Sequence, residues 1–240
     1  VSVVIPAKDE AGNLPPLLEE IQGQLAGVTF EAIVVDDGSD DGTDAAILAL
    51  TKELPWLRLV RHEKAAGKSA ALRTGVKYAH APLILMIDGD GQNNPIFLPK
   101  MLKMLQDDPD LGLVVGQRLK RHDSALKQRA SKLANGLRSW LLGDKTRDTA
   151  CGLKAIRREL YLDLPFFDTM HRFFPALVLR EGWQIAHIDV EDRVRIHGSS
   201  KYGVLDRALV GLPDLFGVWW LLSRRRRVPS AQEATIDADR

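Results

Sequence analysis

Short apolar runs recur through the first half of this 240-residue chain, and most end abruptly in acidic or glycine-rich residues. VSVVI (1–5) precedes Pro6, and FEAIVV (30–35) runs into Asp36–Asp37–Gly38–Ser39. LRLV (57–60) follows, then PLILMI (82–87), which stops at Asp88–Gly89–Asp90, then LGLVVG (111–116). Runs of four to six apolar residues without polar alternation read as strands buried on both faces. Helical patterns lie between them. Asn13 is placed to cap a helix from Leu14 to about Ala26, with Pro15 in its first turn. A second helix runs from Thr43 to about Leu54. Gly67 opens a third that reaches about Ala79, with a small-residue face at Ala70, Ala71 and Gly75, and Pro95 begins a fourth. This βαβα alternation predicts an α/β fold with a mostly parallel sheet, helices on both faces and PLILMI at its centre.

The rhythm changes beyond residue 117. Residues 124–142 read as a basic amphipathic helix. CGLKAI (151–156) and WQIAHIDV (183–190) read as strands, with helical segments around 158–164 and 169–181. A polar loop spans 193–202. A strongly apolar helix covers 203–222 and is followed by Arg224 to Arg227. Val228 to Arg240 has no apolar periodicity and is expected to be disordered. The expected organisation is a main domain over 1–202, an amphipathic helix and polybasic stretch over 203–227, and a tail over 228–240.

Net charge is only +1, but residues 1–56 sum to −9 and residues 117–147 to +7. The overall balance argues against a purely electrostatic nucleic-acid binder, and no nucleic-acid partner is expected. Acidic clusters suit divalent cations and basic ones suit phosphates. The single cysteine, Cys151, excludes an intrachain disulfide and fits a reducing compartment. No window has the ~18 uninterrupted apolar residues of a spanning helix. Val1 stands where an initiator methionine is expected, so the sequence reads as trimmed, and VSVVIPAKDE lacks a signal-peptide layout.

In open parallel sheets, ligands bind at the carboxyl ends of strands. Lys8–Asp9–Glu10, Asp36–Asp37 and Asp88–Gly89–Asp90 all fall there. Asp88 and Asp90, one residue apart on a turn, can share a hard cation, with Gln92 adding an amide oxygen. Such a cation can neutralise a departing diphosphate. Gly89 and Gly91 allow the tight bend. A calcium loop is excluded, because the twelfth position is Pro99 counted from Asp88 and Leu48 counted from Asp37, where a glutamate is required. An aspartyl-phosphate enzyme with Asp88 as nucleophile is chemically possible, but it leaves the Asp36–Asp37 cluster without a role. There is no GxxxxGK[ST], no GxGxxG after a strand, no CxxC pair and no HExxH, so phosphate-loop, dinucleotide and zinc readings have no support.

VVIPAKDEAGNL, VVDDGSDDGT and MIDGDGQNNP together resemble the family 2 glycosyltransferases of the GT-A fold. GQR (116–118), DTACGLK (148–154) and RVRIHGSSKYG (193–203) extend the resemblance toward dolichol-phosphate mannose synthases and bacterial polyprenyl-phosphate sugar transferases. It covers roughly residues 1–205. The resemblance implies that Pro6, Lys8, Glu10, Val35 and Asp37 hold the nucleotide base and ribose. It implies that Asp88, Asp90 and Gln92, around Gly89, coordinate Mg²⁺ or Mn²⁺. Arg118 would reach phosphate, and Arg195 and Lys201 would close over the donor diphosphate, with Gly198, Ser199 and Ser200 as a hinge. Asp148 would orient acceptor or sugar, or cap a turn.

Lys127, Ser131 and Asn135 share one helical face, with Arg129 at its edge. Arg118, Lys127, Arg129 and Ser131 are therefore candidates for an acceptor phosphate. The implied reaction is an inverting single displacement from a GDP- or UDP-sugar onto a polyprenyl phosphate, dolichyl or undecaprenyl. None of the six histidines has ligand spacing, and a phosphate nucleophile needs no strong base. Leu205, Leu209, Leu212, Leu215, Phe216, Trp219, Trp220 and Leu222 beside four arginines suit a helix lying in the headgroup region, or one packed on the core or at a dimer interface. Peripheral attachment at the cytoplasmic face, through this helix or an integral membrane partner or homo-oligomer, is expected. Two other classes stand beside this one: a family 2 transferase with a soluble or glycan acceptor, and a non-catalytic nucleotide-sugar binder.

Overall fold

The computed structural model describes residues 1–119, 136, 138–193 and 204–224, with side chains of the last segment from Pro213 onward. Its elements are β1 (Ser2–Ala7), α1 (Leu14–Gln24), β2 (Glu31–Asp36), α2 (Thr43–Leu50), β3 (Leu57–Arg61), α3 (Lys68–Tyr78) and β4 (Leu83–Met86). A 3₁₀ turn (Pro95–Phe97) leads into α4 (Leu98–Asp107) and β5 (Leu111–Arg118). Then come β6 (Lys154–Arg157), α5 (Arg158–Asp163), a 3₁₀ turn (Met170–Arg172), α6 (Phe174–Arg180), β7 (Gln184–Val190) and α7 (Val204–Ser223).

The seven strands form one sheet in the order β3-β2-β1-β4-β6-β5-β7. Only β6 is antiparallel, to both β4 and β5. PLILMI therefore supplies the middle strand, as its uninterrupted apolar character requires. Successive strand residues enter opposite cores. Val3, Ile5, Ala32 and Val34 join the face covered by α1, α2 and α4. Val4, Ile33 and Val35 join the face covered by α3, α5, α6 and α7. Both faces are buried, which is why these strands read as continuous apolar runs.

Some boundaries differ from the sequence expectation. The α2 helix stops at Leu50, and Thr51–Glu53 follow it as a turn hydrogen-bonded to its last residues. Within CGLKAI only the last three residues, with Arg157, pair as β6. Asn13 makes no side-chain cap on α1; its amide instead donates to Glu10 Oε2 at 2.6 Å. Of the expected 124–142 helix, residues 138–142 are helical, and 124–135 lie outside the described residues. The same holds for residues 194–203, which include all of the expected 193–202 polar loop but Arg193, and for everything beyond Arg224.

Glu31, at the start of β2, ties three strands together. Its carboxylate accepts from the Ser2 hydroxyl at 2.7 Å, the His80 amide at 2.7 Å and Arg58 at 2.6 Å. Burial pushes its pKa up, but these hydrogen bonds outweigh that and hold it at about 2. A depressed carboxylate pKa stabilises the fold above its unfolded value and loses that contribution as pH falls through the folded value. Glu31→Gln should therefore cost on the order of 2 kcal/mol at neutral pH. Urea denaturation between pH 7 and pH 2 should show the gap from wild type closing in acid, and a gap independent of pH would refute this.

Candidate active site

The sheet topology alone brings the acidic clusters together. β1 lies between β2 and β4, so the chain leaves β1 on one side and returns to it on the other. That reversal opens a crevice at the carboxyl edge of β1 and β4. Register sets the heights: Ala7 is level with Asp36, and Val4 with Met86. The chain then continues past β4 beside Pro6, whose carbonyl accepts from the Gly89 amide at 3.3 Å. A Cβ on Gly89 would lie 3.1 Å from that carbonyl oxygen, so the position favours glycine. Because β6 runs antiparallel, it begins at this same edge, and β5 and β7 end there. Lys8–Glu10, Asp36–Asp37, Asp88–Asp90, Arg118, residues 148–154 and Asp192 thus form one row.

On the β2 side the loops are stapled to each other. Lys8 Nζ donates to the Gly38 carbonyl at 2.6 Å and lies 3.3 Å from Asp9 and 3.4 Å from Asp40. Burial lowers the Lys8 pKa, but these two acids raise it further. Glu10 is buried, and its amide donates to Thr43 Oγ1 at 3.0 Å. Asp37 accepts from the amides of Ala66 and Gly67, both at 2.8 Å, and lies 2.7 Å from His62 Nδ1. It therefore fixes the entry to α3. The Val35 side chain is spent in the core beneath α3, where a Cβ on Gly75 would come within 3.2 Å of it. Pro6 is half-buried at the crevice.

On the β4 side, Asp88 pairs with Lys68 Nζ at 2.5 Å. Asp90 accepts from the Gln92 backbone amide at 3.1 Å, which curls the turn. Gly91 supplies the positive φ of that turn. The Asp88 amide donates to Asn93 Oδ1 at 3.3 Å, and Asn93 Nδ2 donates to Asp192 at 3.2 Å. Arg118 closes the chain of contacts. Its Nε and one terminal nitrogen clamp Asp148 at 2.5 and 3.0 Å, and the other terminal nitrogen reaches Asp192 at 3.3 Å. Burial would lower the Arg118 pKa; Asp148 and Asp192 raise it well above the ordinary arginine value.

Lys68, Asn93, Gly152 and Asp192 escape motif reading as site residues. Lys68 had a usable signal: it stands in the first turn of α3, where the helix dipole disfavours a cation and no acid of that turn compensates. Such a lysine needs an acid from elsewhere, and Asp88 supplies it. Gly152 has a steric signature. A Cβ there would overlap the Asp88 carboxylate and the Asn93 amide oxygen. Gly152→Ala should cost about 1–3 kcal/mol of stability. By shifting Asp88 it should also lower turnover about 100-fold. Thermal unfolding and steady-state kinetics check this, and a fully active variant would show that Gly152 does not set the Asp88 position.

Arg195 and Lys201, and Lys127, Arg129 and Ser131, lie outside the described residues. Among the described residues, no three His, Cys, Asp or Glu side chains gather as a metal site. The donors at the β4 turn are two carboxylates and an amide, all hard oxygen ligands, backed by the Gly152 cradle. By the chemistry of these donors they fit an oxygen-preferring divalent ion.

Residues 2–164 match the family model for Glycosyl transferase family 2. The chain belongs to that family of glycosyltransferases. It is 33% identical over 233 residues to dodecaprenyl-phosphate galacturonate synthase of Rhizobium johnstonii, covering 95% of this chain and 68% of that protein. It is 32% identical over 209 residues to undecaprenyl-phosphate 4-deoxy-4-formamido-L-arabinose transferase of Aeromonas hydrophila, covering 85% of this chain and 63% of that protein. The chain thus spans about two thirds of the length of these relatives. Glucosyl-3-phosphoglycerate synthase from Mycobacterium tuberculosis superposes with a TM-score of 0.68 at 23% identity, over 95% of this chain and 82% of that one. That enzyme's complex with Mn²⁺ and UDP-glucose superposes with a TM-score of 0.60 at 25% identity, over 93% and 78%. The GT-A fold expected from the motifs is the fold found.

Proposed function

We propose that this chain transfers a sugar from a nucleoside diphosphate sugar to a polyprenyl phosphate, with inversion at the anomeric carbon. The observation that carries the reading is the convergence of Asp88, Asp90 and Arg118 at one sheet edge, in a chain whose relatives are named for polyprenyl-phosphate acceptors. Asp88 and Asp90, with Gln92, would hold Mg²⁺ or Mn²⁺, which when bound supplies positive charge to the leaving diphosphate. Pro6, Lys8, Glu10, Val35 and Asp37 would form the nucleoside end. There Asp37 keeps one Oδ2 lone pair beyond its contacts to His62, Ala66 and Gly67. Arg195 and Lys201 would cover the diphosphate. Arg118, with Lys127, Arg129 and Ser131, would hold the acceptor phosphate, and Asp148 would fix the Arg118 fork.

In the reaction, an acceptor phosphate oxygen forms a bond to the anomeric carbon as the bond from that carbon to the diphosphate oxygen breaks. The acceptor's second pKa is about 6, so it is anionic at neutral pH and needs no general base. The test is incubation of the protein with Mn²⁺, undecaprenyl phosphate and a panel of UDP- and GDP-sugars, read by mass spectrometry of the lipid. A new glycosyl phosphate lipid supports the reading. Transfer only to a soluble phosphate or an oligosaccharide selects the alternative acceptor class, and donor binding with neither transfer nor hydrolysis selects a non-catalytic binder.

We further propose peripheral binding at the cytoplasmic membrane face through α7. Its Leu215 and Val218 are buried on the core, while Phe216, Trp219 and Trp220 are 61%, 48% and 56% exposed. Arg224 stacks 5.8 Å from the Trp220 ring and opens the Arg224–Arg227 run. No helix among the described residues is long and apolar enough to cross a membrane. Tryptophans beside arginines match the headgroup boundary of an anionic leaflet. Alanine at both Trp219 and Trp220 should weaken flotation with anionic vesicles by about tenfold or more. Wild-type partitioning of that variant would remove α7 from the membrane surface.

A further inference from the structure

Lys154 is a buried charge that the proposed reaction does not use. It opens β6, level with Met86 on one side and Val115 on the other, in the interior of the sheet. It is 2% exposed, and the alternation of the strand turns it toward the core that holds Ile156 and Phe174. Every neighbouring position in LKAI is apolar. A methionine of similar length would fill the space without desolvating an ammonium, so the lysine carries a real cost. Burial, with help from Lys68, lowers its pKa to about 8, opposed by Cys151, Asp88 and Asp148.

The contacts of Nζ indicate what offsets that cost. The ammonium donates to the Cys151 carbonyl and lies 3.4 Å from the Thr149 carbonyl, with the Phe174 ring 5.9 Å away. Both carbonyls belong to the turn that carries Asp148 and Gly152. Asp148 is the carboxylate that clamps Arg118, and it also accepts from the Ala150 amide at 3.1 Å. Gly152 is the residue that backs Asp88 and Asn93. One buried cation thus pulls two carbonyls of a five-residue turn inward, between the two groups the turn delivers. Cys151, the chain's single cysteine, is fully buried in the middle of it and packs toward Gly116.

We propose that Lys154 is a positioning residue, a clamp on the 148–152 turn that holds Asp148 to Arg118 and Gly152 against Asp88. Its effect on turnover rests on the transferase reading; the clamp itself does not. A clamp and a mere charge make opposite predictions for a divalent ion at Asp88 and Asp90. Removing only a nearby positive charge tightens Mn²⁺ binding, whereas releasing the turn loosens the Asp88 support and weakens it.

The experiment compares the wild-type protein with Lys154→Met and Lys154→Gln, after circular dichroism and thermal unfolding establish that each is folded. Three readouts are taken: the rate of Cys151 alkylation, Mn²⁺ affinity by calorimetry, and transfer kinetics. In Lys154→Met, Cys151 should react at least about tenfold faster as the turn opens locally. Mn²⁺ should bind about tenfold more weakly. Transfer should lose about 100-fold in kcat, with donor KM within about threefold of wild type. Lys154→Gln, a neutral donor to the same carbonyls, should keep Cys151 protected and recover most of the Mn²⁺ affinity. Unchanged Cys151 reactivity in folded Lys154→Met, or tighter Mn²⁺ binding, overturns the proposal. If Lys154→Met does not fold, Lys154→Gln decides alone: a protected Cys151 supports the clamp, and an exposed one overturns it. If the wild type neither binds Mn²⁺ nor transfers sugar, the transferase reading fails, and the Cys151 rates still decide the clamp.

Discussion

Asp90→Ala will reduce sugar transfer by about a thousandfold or more while leaving the protein folded, with a melting temperature close to that of wild type. The separation of the two effects follows from where Asp90 stands. It is half-buried, and its contribution to the turn includes one hydrogen bond from the Gln92 amide. Losing a bond of that kind costs about 1 kcal/mol. The proposed chemical loss is larger, because a carboxylate that holds the cation under a departing diphosphate acts where negative charge develops. Excess chelator should reproduce the phenotype in the wild type and add nothing to the variant. Asp88→Ala is a poorer probe, since it also strands Lys68, whose ammonium it pairs at 2.5 Å. Full activity of Asp90→Ala, or of wild type in chelator, would show that transfer proceeds without the cation.

The strands and the acidic row announce themselves in the amino-acid pattern for related reasons. A strand covered on both faces has no polar alternation, so VVIP, AIVV and LILM stand out, and their ends must be where polarity resumes. Parallel crossovers then place those ends on one edge whatever the helices contain. Less legible is what converges on that edge from the antiparallel strand. Nothing in CGLKAI states that β6 runs opposite to β4, and only that reversal brings Asp148, Gly152 and Lys154 beside Asp88. Asn93 and Asp192 escape for another reason. They act as linkers, and a buried side-chain amide that joins a backbone N–H to a distant carboxylate has no spacing rule in one sequence. Asn13 shows the opposite failure: the residue type suits a helix cap, but Glu10, three residues earlier, captures its amide. Local propensity lost there to a stronger partner supplied by the loop.

α7 illustrates a choice that periodicity alone leaves open. A helix with apolar residues around most of its circumference can cover a core, a membrane or a second copy of the chain. The structure commits Leu215 and Val218 to the core and ties Asp214 to the Thr169 hydroxyl, which fixes the helix rotation. The aromatic side that remains outward is then defined by packing rather than by composition.

Arg118→Ala should be the most damaging single substitution for stability, at about 3–5 kcal/mol near neutral pH, because it leaves buried carboxylates without their partner. For a chain of this length that lowers the melting temperature by roughly 6–20 °C. The side chains of Arg118, Asp148 and Asp192 are 17%, 8% and 12% exposed, so solvent cannot take over the lost contacts. The pH dependence has a definite sign. Burial already pushes the Asp192 pKa up and Arg118 opposes that, so without Arg118 the pKa of Asp192 rises further. A carboxyl group whose folded pKa lies above its unfolded value destabilises at pH values above the unfolded one and ceases to do so once both states are protonated. The variant should therefore approach wild-type stability near pH 4 and diverge from it as pH rises toward 8. Adding Asp148→Asn to Arg118→Ala should restore at least about 1 kcal/mol at neutral pH, because it removes one stranded charge. Denaturant melts across that pH range decide the matter: a constant deficit, or a double variant no more stable than Arg118→Ala, would mean that the arginine supports the fold through packing and not through its carboxylates.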